Sequence, residues 1–305
     1  MELEVKELGD LLHTKLYQAN SKITGKIIVL SECIFPLVPC EEYFLLFEKG
    51  FFQMFGASYE LIQSHQSRIE ISSCAFGVAN NEIVILVGLR NGAILMVYSK
   101  SMKTSEFEGH SNVVTCIKWI KNNRMGSSSE DFTIRLWDLE RELMLVVYEG
   151  HKAGVLSIDY NWANDSFGSC GRDSYVFLWK TIKNSRKNCK KHNGCFKPHM
   201  NYVNSIRFYS EILITIGDDQ NLILWRPFRH SSHYCVDVLA KFQVFPSSFF
   251  LINPFTSTLA YLSNSNLLEV FCLVSQTSNT FEIPLGISQI HSFYTHSKTP
   301  SYLIF

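Results

Sequence analysis

The sequence predicts an all-β protein built from repeated small antiparallel sheets, and three observations lead to this prediction. Three similar segments, "EDFTIRLWD", "RDSYVFLWK" and "DDQNLILWR", carry a Trp at the same place. Runs such as "VVTCIKW" and "VLSIDY" precede them, and their alternation of apolar and polar residues is typical of half-buried strands. Corresponding positions recur about every 40 residues, which indicates a chain of repeated structural units.

The composition indicates a folded protein without a strong electric field. The chain has 305 residues, of which 46% are hydrophobic and 18% are charged, with 28 Lys+Arg against 28 Asp+Glu. Such a composition excludes disorder over most of the length. The zero net charge argues against sequence-specific nucleic-acid binding that depends on phosphate neutralisation. Closed all-β architectures can reach this length as one unit, so residues 1–305 are predicted to form a single domain.

Cysteine usage and the chain start indicate where the protein works. Nine cysteines without fixed spacing do not resemble a disulfide framework and favour a reducing compartment. The start, "MELEVKELGDLL", has acidic residues where an export signal needs basic ones. The longest uncharged stretch, Phe242 to Leu268, is broken by Pro246 and Pro254, so we expect no membrane-spanning helix.

Each of the three Trp segments belongs to a repeated set of four side chains. An Asp lies six positions before each Trp, a hydroxyl residue four positions before each Asp, and a His 26 to 28 positions before the Trp. An Asp in a turn can accept from a His ring, the ring can reach the hydroxyl, and the hydroxyl can accept from the indole. Because the set recurs with the repeat, we predict a structural network and not an active site. Its members are His110, Ser127, Asp131, Trp137, His151, Ser169, Asp173, Trp179, His199, Thr215, Asp219 and Trp225.

This pattern resembles the WD40 repeat family, whose units carry Gly-His and Trp-Asp pairs. The chain has Gly109-His110 and Gly150-His151, and one intact Trp137-Asp138 pair. The other two repeats have Lys180 and Arg226 after the Trp. The resemblance implies that each repeat is a four-stranded blade of a β-propeller.

Weaker repeats extend the pattern in both directions. Phe55, Val97 and Phe271 occupy the Trp position, which brings the number of recognisable blades to six. After residue 277 the chain has one more strand pair, "GISQIHSFY" and "SYLIF". Because an open blade would leave a sheet edge exposed, residues 1–30, which include "KIIVL", are predicted to complete the last blade. The predicted fold is therefore a seven-bladed WD40 β-propeller.

Between the network positions, the amino-acid sequence resembles that of the extra sex combs / embryonic ectoderm development (EED) family of Polycomb proteins. The resemblance covers roughly residues 70–230 and is carried by "EGHKAGVLSIDY", "SCGRDSYVFLWK", "HMNYVNSIRF" and "LWRP". It implies a non-catalytic scaffold of a histone H3 lysine methyltransferase complex, with a role in gene silencing. The implied partners are a helix of a SET-domain methyltransferase, held in a groove, and the histone H3 tail. The implied location is the nucleus, with the cytoplasm as the alternative, and no cofactor is implied.

The same family recognises trimethyl-lysine with an aromatic cage, because a quaternary ammonium is attracted to ring faces. Where the family has a cage Tyr, this chain has Ser72. The remaining candidates for a cage are Phe35, Phe249 and Phe250. The favoured interpretation is that these three are core or rim aromatics.

The segment 181–198 is predicted to be a basic loop between blades. A solvated connection is the favoured interpretation over an import signal or a site for phosphate or an acidic partner. Four residues have short metal-ligand spacing, but His199 already belongs to the network, so no metal site is predicted. The basic residues are Lys183, Arg186, Lys187, Lys190, Lys191 and Lys197, and the spaced residues are Cys189, His192, Cys195 and His199.

The sequence lacks the common motifs of enzymes. The chain contains no Walker-type loop, no HExxH, no G-x-S-x-G and no pair of CxxC motifs, so it is not predicted to be an enzyme. The alternative to the Polycomb hypothesis is a WD40 adaptor of another complex, such as a ubiquitin-ligase substrate receptor or a trafficking or RNA-processing scaffold.

Overall fold

The computed structural model describes residues 26–29, 44–48, 51–55, 61–79, 82–99, 101, 103–121, 123–162, 164–181, 187–189, 192–209, 211–230, 233–244, 250–253, 258–262, 267–272, 277–282, 290–294 and 300–304. Every regular element in these residues is a β-strand, and the strands form seven sheets. None of the described segments forms a helix with the length and hydropathy needed to cross a bilayer.

The sheets follow one another along the chain. Sheet 1 contains β1 (Lys26–Val29), β2 (Phe44–Glu48), β3 (Phe51–Phe55) and β4 (Leu61–Gln66). Sheet 2 contains β5 (Ile71–Ala79), β6 (Glu82–Leu89), β7 (Ile94–Tyr98) and β8 (Thr104–Phe107). Sheet 3 contains β9 (Val114–Ile120), β10 (Arg124–Ser129), β11 (Thr133–Asp138) and β12 (Leu143–Glu149).

The remaining sheets repeat this plan. Sheet 4 contains β13 (Val155–Asn161), β14 (Ser166–Gly171) and β15 (Val176–Lys180), and it is completed by β17 (Gly194–Phe196), while β16 (Lys187–Cys189) joins sheet 3. Sheet 5 contains β18 (Val203–Tyr209), β19 (Ile212–Gly217), β20 (Asn221–His230) and β21 (His233–Gln243). Sheet 6 contains β22 (Phe250–Asn253), β23 (Thr258–Leu262), β24 (Leu267–Cys272) and β25 (Ser278–Glu282), and sheet 7 contains β26 (Ile290–Tyr294) and β27 (Pro300–Ile304).

The repeat frame predicted from the sequence is confirmed by this order. The three network tryptophans and their substitutes all lie in the third strand of their sheets: Phe55, Val97, Trp137, Trp179, Trp225 and Phe271. The all-β class and the four-stranded antiparallel repeat are therefore confirmed. The predicted strand pair after residue 277 is present as β26 and β27.

The chain divides into two compact units, Ile71–Ser247 and the combination of Met1–Glu70 with Ser248–Phe305. Sheets 2 to 5 belong to the first of these units, and sheets 1, 6 and 7 belong to the second. Whether residues 1–305 behave as a single domain stays a prediction.

Within the unit Ile71–Ser247, consecutive sheets pack on one another through buried apolar clusters. Trp137 belongs to the cluster between sheets 2 and 3, Trp179 to the cluster between sheets 3 and 4, and Trp225 to the cluster between sheets 4 and 5. Their exposed fractions are 2%, 0% and 8%, respectively. Each Trp therefore packs against the sheet that precedes its own, and full burial of such a side chain contributes about 1.5–3 kcal/mol or more.

A charged ladder ties the first strands of three sheets together, and the sequence analysis did not predict it. Asp159 on β13 lies 3.4 Å from Nζ of Lys118 on β9 and 3.8 Å from Nη1 of Arg207 on β18. The other carboxylate oxygen accepts from the backbone N–H of Phe208 at 2.6 Å. Asp159 contacts groups on both β9 and β18. It therefore helps to set the position of sheet 4 along the strand direction relative to sheets 3 and 5.

At the N-terminus, the structure differs from the prediction that "KIIVL" helps to close the last blade. β1 pairs antiparallel with β2, from Lys26↔Phe47 to Val29↔Phe44, so it supplies the first strand of sheet 1. Strands that are close in sequence usually pair, and β1 is the apolar run that precedes the β2–β3 hairpin. In the described residues, sheet 7 has two strands. Residues 1–25 lie outside the described residues, so a seventh blade closed by the N-terminal segment stays a prediction.

The segment 181–198, predicted as a solvated connection, contains two strands at the residues that the structure describes. β17 pairs with β15 and gives sheet 4 its fourth strand. β16 pairs in parallel with β12, from Val146↔Lys187 to Tyr148↔Cys189, and adds a fifth strand to sheet 3. An uncovered edge strand presents unpaired backbone donors and acceptors. The segment therefore completes one sheet and covers the edge of its neighbour, which repeat spacing alone did not predict.

Candidate functional site

The four predicted side chains meet in each of the three Trp repeats. Nδ1 of the imidazole lies 2.8 Å from the Asp carboxylate in the pair His110–Asp131 and 2.9 Å in the pair His151–Asp173. The third pair, His199–Asp219, repeats the 2.8 Å distance. The His precedes the first strand of its sheet and the Asp lies in the turn after the second strand. Each pair therefore fastens a loop to a turn at the same end of its sheet.

A hydroxyl oxygen links each imidazole to its indole. Oγ of Ser127 lies 2.8 Å from Nε2 of His110 and accepts from Nε1 of Trp137 at 2.7 Å. Ser169 has both corresponding distances at 2.8 Å, and Thr215 has both at 2.9 Å. Because an indole N–H only donates, the hydroxyl keeps its own proton to donate to Nε2. The ring then carries its proton on Nδ1 and donates it to the Asp.

The Asp also accepts from the backbone, which sequence reasoning did not find. Asp131 accepts from the N–H of Ser111 at 3.1 Å and from that of Thr133 at 2.9 Å. Equivalent bonds surround the other two carboxylates, from Lys152 and Tyr175 to Asp173 and from Met200 and Asn221 to Asp219. Almost every residue type has a backbone N–H, so the sequence does not show which N–H groups donate. Only the position of the Asp in a turn could have indicated these bonds.

Burial fixes the protonation states of these groups. The His110 and His199 side chains are 0% exposed. Burial lowers the pKa of both rings, and the hydrogen bond to the Asp only partly offsets it. Burial acts to raise the pKa of Asp131, but the hydrogen bonds from His110 and Thr133 outweigh it and hold the pKa below its ordinary value of 3.8. The pair at neutral pH is therefore a neutral imidazole donating to an ionised carboxylate.

The order hydroxyl, imidazole, carboxylate is also that of a hydrolytic triad, and the surroundings argue against such a role. A triad needs a hydroxyl that is free to attack a substrate. Ser127 and Ser169 are 0% exposed, and each hydroxyl already accepts from an indole. The arrangement recurs in three consecutive sheets, which is typical of a structural repeat and not of a single active site.

The turn after each Asp holds a residue in the left-handed backbone region. The φ angles are +71° at Phe132, +66° at Ser174 and +60° at Gln220. This region is uncommon for residues other than Gly, and a bulky side chain makes it more so. Phe132 nevertheless occupies it and is 49% exposed. A strained turn that carries a half-exposed ring marks Phe132 as a candidate contact for a partner.

An ion pair and several exposed side chains lie at the end of sheets 3, 4 and 5 where the His–Asp pairs are found. Nη2 of Arg172 lies 3.0 Å from Oε1 of Glu130, and its guanidinium carbon lies 5.6 Å from the ring centroid of Tyr202. Tyr202 is 41% exposed and Met200 beside it is 92% exposed. We call Glu130, Phe132, Arg172, Met200 and Tyr202 the imidazole face, because they surround the three His–Asp pairs. The face combines exposed aromatic and apolar side chains with an ion pair, a composition that is typical of protein contact sites.

The side chains of all three cage candidates lie outside the part of the chain that the structure describes. Phe35 and Phe249 lie outside the described residues, and Phe250 belongs to β22 with its side chain outside them. Ser72, which the resemblance aligns with a cage Tyr, has its hydroxyl oxygen 2.7 Å from the backbone oxygen of Val114 and 3.0 Å from that of Gly88, so its one proton is shared between these two acceptors. Ser72 thus ties sheet 2 to sheet 3 and offers no aromatic face.

Cys189, His192, Cys195 and His199 have the sequence spacing of metal ligands. Among residues whose side chains are described, no three His, Cys, Asp or Glu side chains are placed to hold one metal ion. His199 is engaged by Asp219 and Thr215. His192 packs edge-on against Phe177, with ring centroids 4.9 Å apart. The side chain of Cys189 lies outside the described residues.

Comparison with known families identifies the repeats. The model of the family "WD domain, G-beta repeat" matches residues 101–138 and 143–180, which contain β8 to β11 and β12 to β15, respectively. The chain therefore carries WD40 repeats, as the Gly-His and Trp-Asp positions predict.

Two curated proteins illustrate the range of relatives. The chain is 23% identical to the Polycomb group protein FIE2 of Zea mays over 222 residues, which cover 62% of this chain and 58% of FIE2. It is 27% identical to the DENN domain and WD repeat-containing protein SCD1 of Arabidopsis thaliana over 135 residues, which cover 44% of this chain and 11% of SCD1. The chain thus spans only part of the length of both relatives.

A solved structure shares the fold over a longer stretch. A chain of the Chaetomium thermophilum Polycomb repressive complex 2, solved in complex with H3K27me3 and H3K27M, matches with a TM-score of 0.69 and 15% identity. The match covers 82% of this chain and 66% of that chain. At this identity the likeness establishes the fold.

Proposed function

We propose that this chain is a non-catalytic WD40 subunit of a Polycomb-type histone H3 lysine methyltransferase complex that supports gene silencing in the nucleus. The observation that carries the proposal is the similarity to a Polycomb protein, FIE2, which extends over 222 residues and well beyond the two matched repeats. The fold match to a chain of a Polycomb repressive complex supports it. The three side-chain networks fit a rigid platform, since their own hydroxyls and imidazoles are all engaged in hydrogen bonds with one another.

The proposed partner is a SET-domain methyltransferase, which would supply a helix to a groove of this chain. Helices bound in this way are held by apolar anchors at helical spacing, and a few buried anchors carry most of the affinity. We assign the imidazole face as a second protein contact. Its exposed Phe132, Met200 and Tyr202 provide large contact area, and the Glu130–Arg172 pair provides a preformed polar centre.

Affinity purification of the full chain followed by mass spectrometry tests this proposal. A stable SET-domain methyltransferase among the partners is the expected result. A double variant, Phe132→Asn with Tyr202→Ala, should reduce recovery of the methyltransferase. The matched control is Phe228→Asn, which removes a 39% exposed ring from the β20–β21 hairpin of the same unit. Equal recovery with the double variant and the control would remove the imidazole face from the proposal.

The relation to SCD1 favours a second candidate function, a WD40 adaptor of another complex. The same purification separates the two functions. Trafficking components, a cullin adaptor or RNA-processing factors in place of a methyltransferase would support the adaptor and overturn the Polycomb assignment.

Trimethyl-lysine recognition is a separate property of the proposed scaffold. It requires aromatic faces around the ammonium group, and Ser72 supplies none at its position. Titration of the chain with trimethylated and unmethylated histone H3 peptides decides the point. Equal affinity for the two peptides would exclude Phe35, Phe249 and Phe250 as a cage, whereas tighter binding of the trimethylated peptide would support it.

A further inference from the structure

The last strand of sheet 2 presents a serine at an open sheet edge. β8 pairs with β7, and among the described strands it has no second neighbour. Thr104 and Glu106 on this strand are exposed, and Ser105 between them is half-buried. An extended segment at a free edge can pair with a strand of another protein. Ser105 therefore lies in a segment that an enzyme acting on extended peptides can bind.

Acidic residues follow this serine at the positions that one class of protein kinase selects. Glu106 comes directly after Ser105, Glu108 is the third residue after it, and both are exposed. Kinases choose substrates by their charge pattern, and acid-directed serine kinases favour a carboxylate at these two positions. Nζ of Lys103, the basic residue on the other side, lies 3.0 Å from Oε1 of Glu142, which offsets its charge.

Burial distinguishes Ser105 from the other hydroxyl residues that have an acidic residue three positions later. In the part of the chain that the structure describes, such hydroxyls belong to Ser67, Ser105, Ser127, Ser128 and Thr215. The last three of these are 0% exposed. Ser67 is followed by the basic Arg68, and its hydroxyl accepts from the backbone N–H of Ile69 at 3.1 Å. Of these five residues, Ser105 is the one that combines an accessible hydroxyl with acidic residues at both selected positions.

The hydroxyl of Ser105 also links sheet 2 to sheet 3. Its Oγ donates to Oε1 of Glu142 at 2.7 Å, and Nζ of Lys103 donates to the same oxygen at 3.0 Å. Glu142 lies in the turn between β11 and β12, with a φ angle of +52° in the left-handed region. The hydrogen bonds from Ser105 and Lys103 hold the pKa of the Glu142 carboxyl below its ordinary value. A negative group on Oγ of Ser105 would therefore face an ionised carboxylate at hydrogen-bond distance.

We propose that Ser105 is a phosphorylation site for an acid-directed serine kinase, and that the phosphate separates β8 from the β11–β12 turn. Oγ of Ser105 forms a bond to the γ-phosphorus of ATP, the bond from that phosphorus to ADP breaks, and the hydroxyl proton passes to the kinase. The phosphate carries about −1.5 to −2 charges at pH 7. It repels the carboxylate of Glu142 and attracts the ammonium group of Lys103, so Oε1 of Glu142 loses both donors. This modification does not depend on the proposed function.

Incubation of the purified full chain with ATP and a casein kinase of the acid-directed class tests the site. Mass spectrometry of the digested chain should place a single phosphate on Ser105, and Ser105→Ala should abolish its incorporation. Glu108→Gln should slow the incorporation by about tenfold, the factor expected for one lost contact to a charged group. Phosphate on other residues in place of Ser105 would overturn the proposal. Labelling of Ser105 only after thermal unfolding of the chain would overturn it as well.

Two matched variants separate Ser105 from the nearest alternatives. Thr104→Ala removes the neighbouring hydroxyl, which has Phe107 three residues later, and Ser67→Ala removes the other accessible hydroxyl with an acidic residue at that position. Both variants should incorporate phosphate at the rate of the native chain. Loss of labelling in either variant would contradict the assignment to Ser105. Thermal unfolding of the unphosphorylated variants checks that they fold.

The effect of the phosphate on the link between the two sheets is measured by thermal unfolding. Phosphorylation should lower the Tm of the native chain by about 2–4 °C. Glu142→Gln removes the carboxylate that the phosphate would face, so phosphorylation of this variant should leave its Tm unchanged. An equal decrease in the native chain and in Glu142→Gln, or no decrease in the native chain, would overturn the proposed separation of β8 from the turn.

Discussion

Arg172 holds Glu130 across the junction of sheets 3 and 4: Nη2 of the arginine lies 3.0 Å from Oε1 of the glutamate, and Nε lies 3.0 Å from the same oxygen. The pair is partly open, with the side chains of Arg172 and Glu130 47% and 24% exposed. It orders two turns that carry the exposed residues of the imidazole face. It is therefore suited to shaping a contact surface more than to stabilising the fold.

This geometry predicts a weak coupling between the two side chains. A double-mutant cycle with Glu130→Gln and Arg172→Met should give a coupling energy of about 0.5 kcal/mol, because solvent screens exposed ion pairs. The coupling should shrink as salt is added. Chemical denaturation at low and high salt measures it. A coupling above about 2 kcal/mol, or one that salt leaves unchanged, would mean that the pair supports the fold and does not merely order the turns.

The strained turn at Phe132 predicts that a substitution there can weaken partner binding without lowering the free energy of unfolding. Phe132→Asn should leave the free energy of unfolding unchanged or raise it by up to about 1 kcal/mol, because Asn tolerates the left-handed region better than a bulky residue does. The same variant removes an exposed ring and should weaken partner recovery. Gln220→Asn, at the equivalent turn of sheet 5, is the control for the backbone effect. Clear destabilisation by Phe132→Asn would show that the ring packs within the fold.

The buried histidines predict that acid destabilises the protein in two stages. The folded pKa of His110 and of His199 is lowered by burial from 6.5, so the unfolded chain binds more protons below that pH and stability falls as the pH falls. The carboxylates of Asp131, Asp173 and Asp219 have pKa values below their ordinary 3.8. Their contribution is complete above about pH 3.8 and is lost as the pH falls further.

Thermal unfolding between about pH 7.5 and pH 5 checks the first stage. The Tm should decrease over this range, at about 2–4 °C for each kcal/mol of lost stability. His110→Gln removes one titrating group, so its Tm should be lower at neutral pH and should change less with pH than that of the native chain. An equal pH dependence in variant and native chain would contradict the assignment of a neutral buried imidazole.

The contact of β5 with β9 predicts a sharp difference between two glycines. A Cβ at Gly77 would lie 2.1 Å from the indole of Trp119, whereas a Cβ at Gly126 would have its nearest contact at 3.1 Å, the end of the Ile120 side chain. Gly77→Ala should therefore destabilise the protein by about 2–3 kcal/mol, because overpacking forces a buried ring to move. Gly126→Ala should cost less than about 1 kcal/mol. Urea denaturation of the two variants gives the comparison, and equal costs would contradict the close packing of sheets 2 and 3.

Much of the repeat could be predicted because its buried polar groups must find partners within the same forty residues. The positions of His151, Ser169, Asp173 and Trp179 in the chain therefore already determine which of them meet. The contacts of Arg172 with Glu130 and Tyr202 could not be predicted in this way. They join different repeats, and their residue types do not recur from one repeat to the next.

The strands β16 and β17 show a second limit of sequence patterns. Each has three residues, which is too short for alternation of apolar and polar residues to become visible. The basic composition of the surrounding segment predicts exposure, and backbone pairing at a sheet edge is compatible with any exposed side chain. The same limit applies to "KIIVL": its pattern predicts a strand but does not indicate that the strand pairs with β2.

The placement of β16 limits how this protein can be cut into modules. In the chain β16 follows β15, the third strand of sheet 4, but it pairs with β12 at the edge of sheet 3. If sheet 4 were replaced, together with the segment that follows it, by that of a related protein, sheet 3 would lose β16. The backbone of Val146, Val147 and Tyr148 would then lose its strand partner. Chimeras of this chain should therefore be joined beyond Phe196, so that sheets 3 and 4 are inherited as one piece.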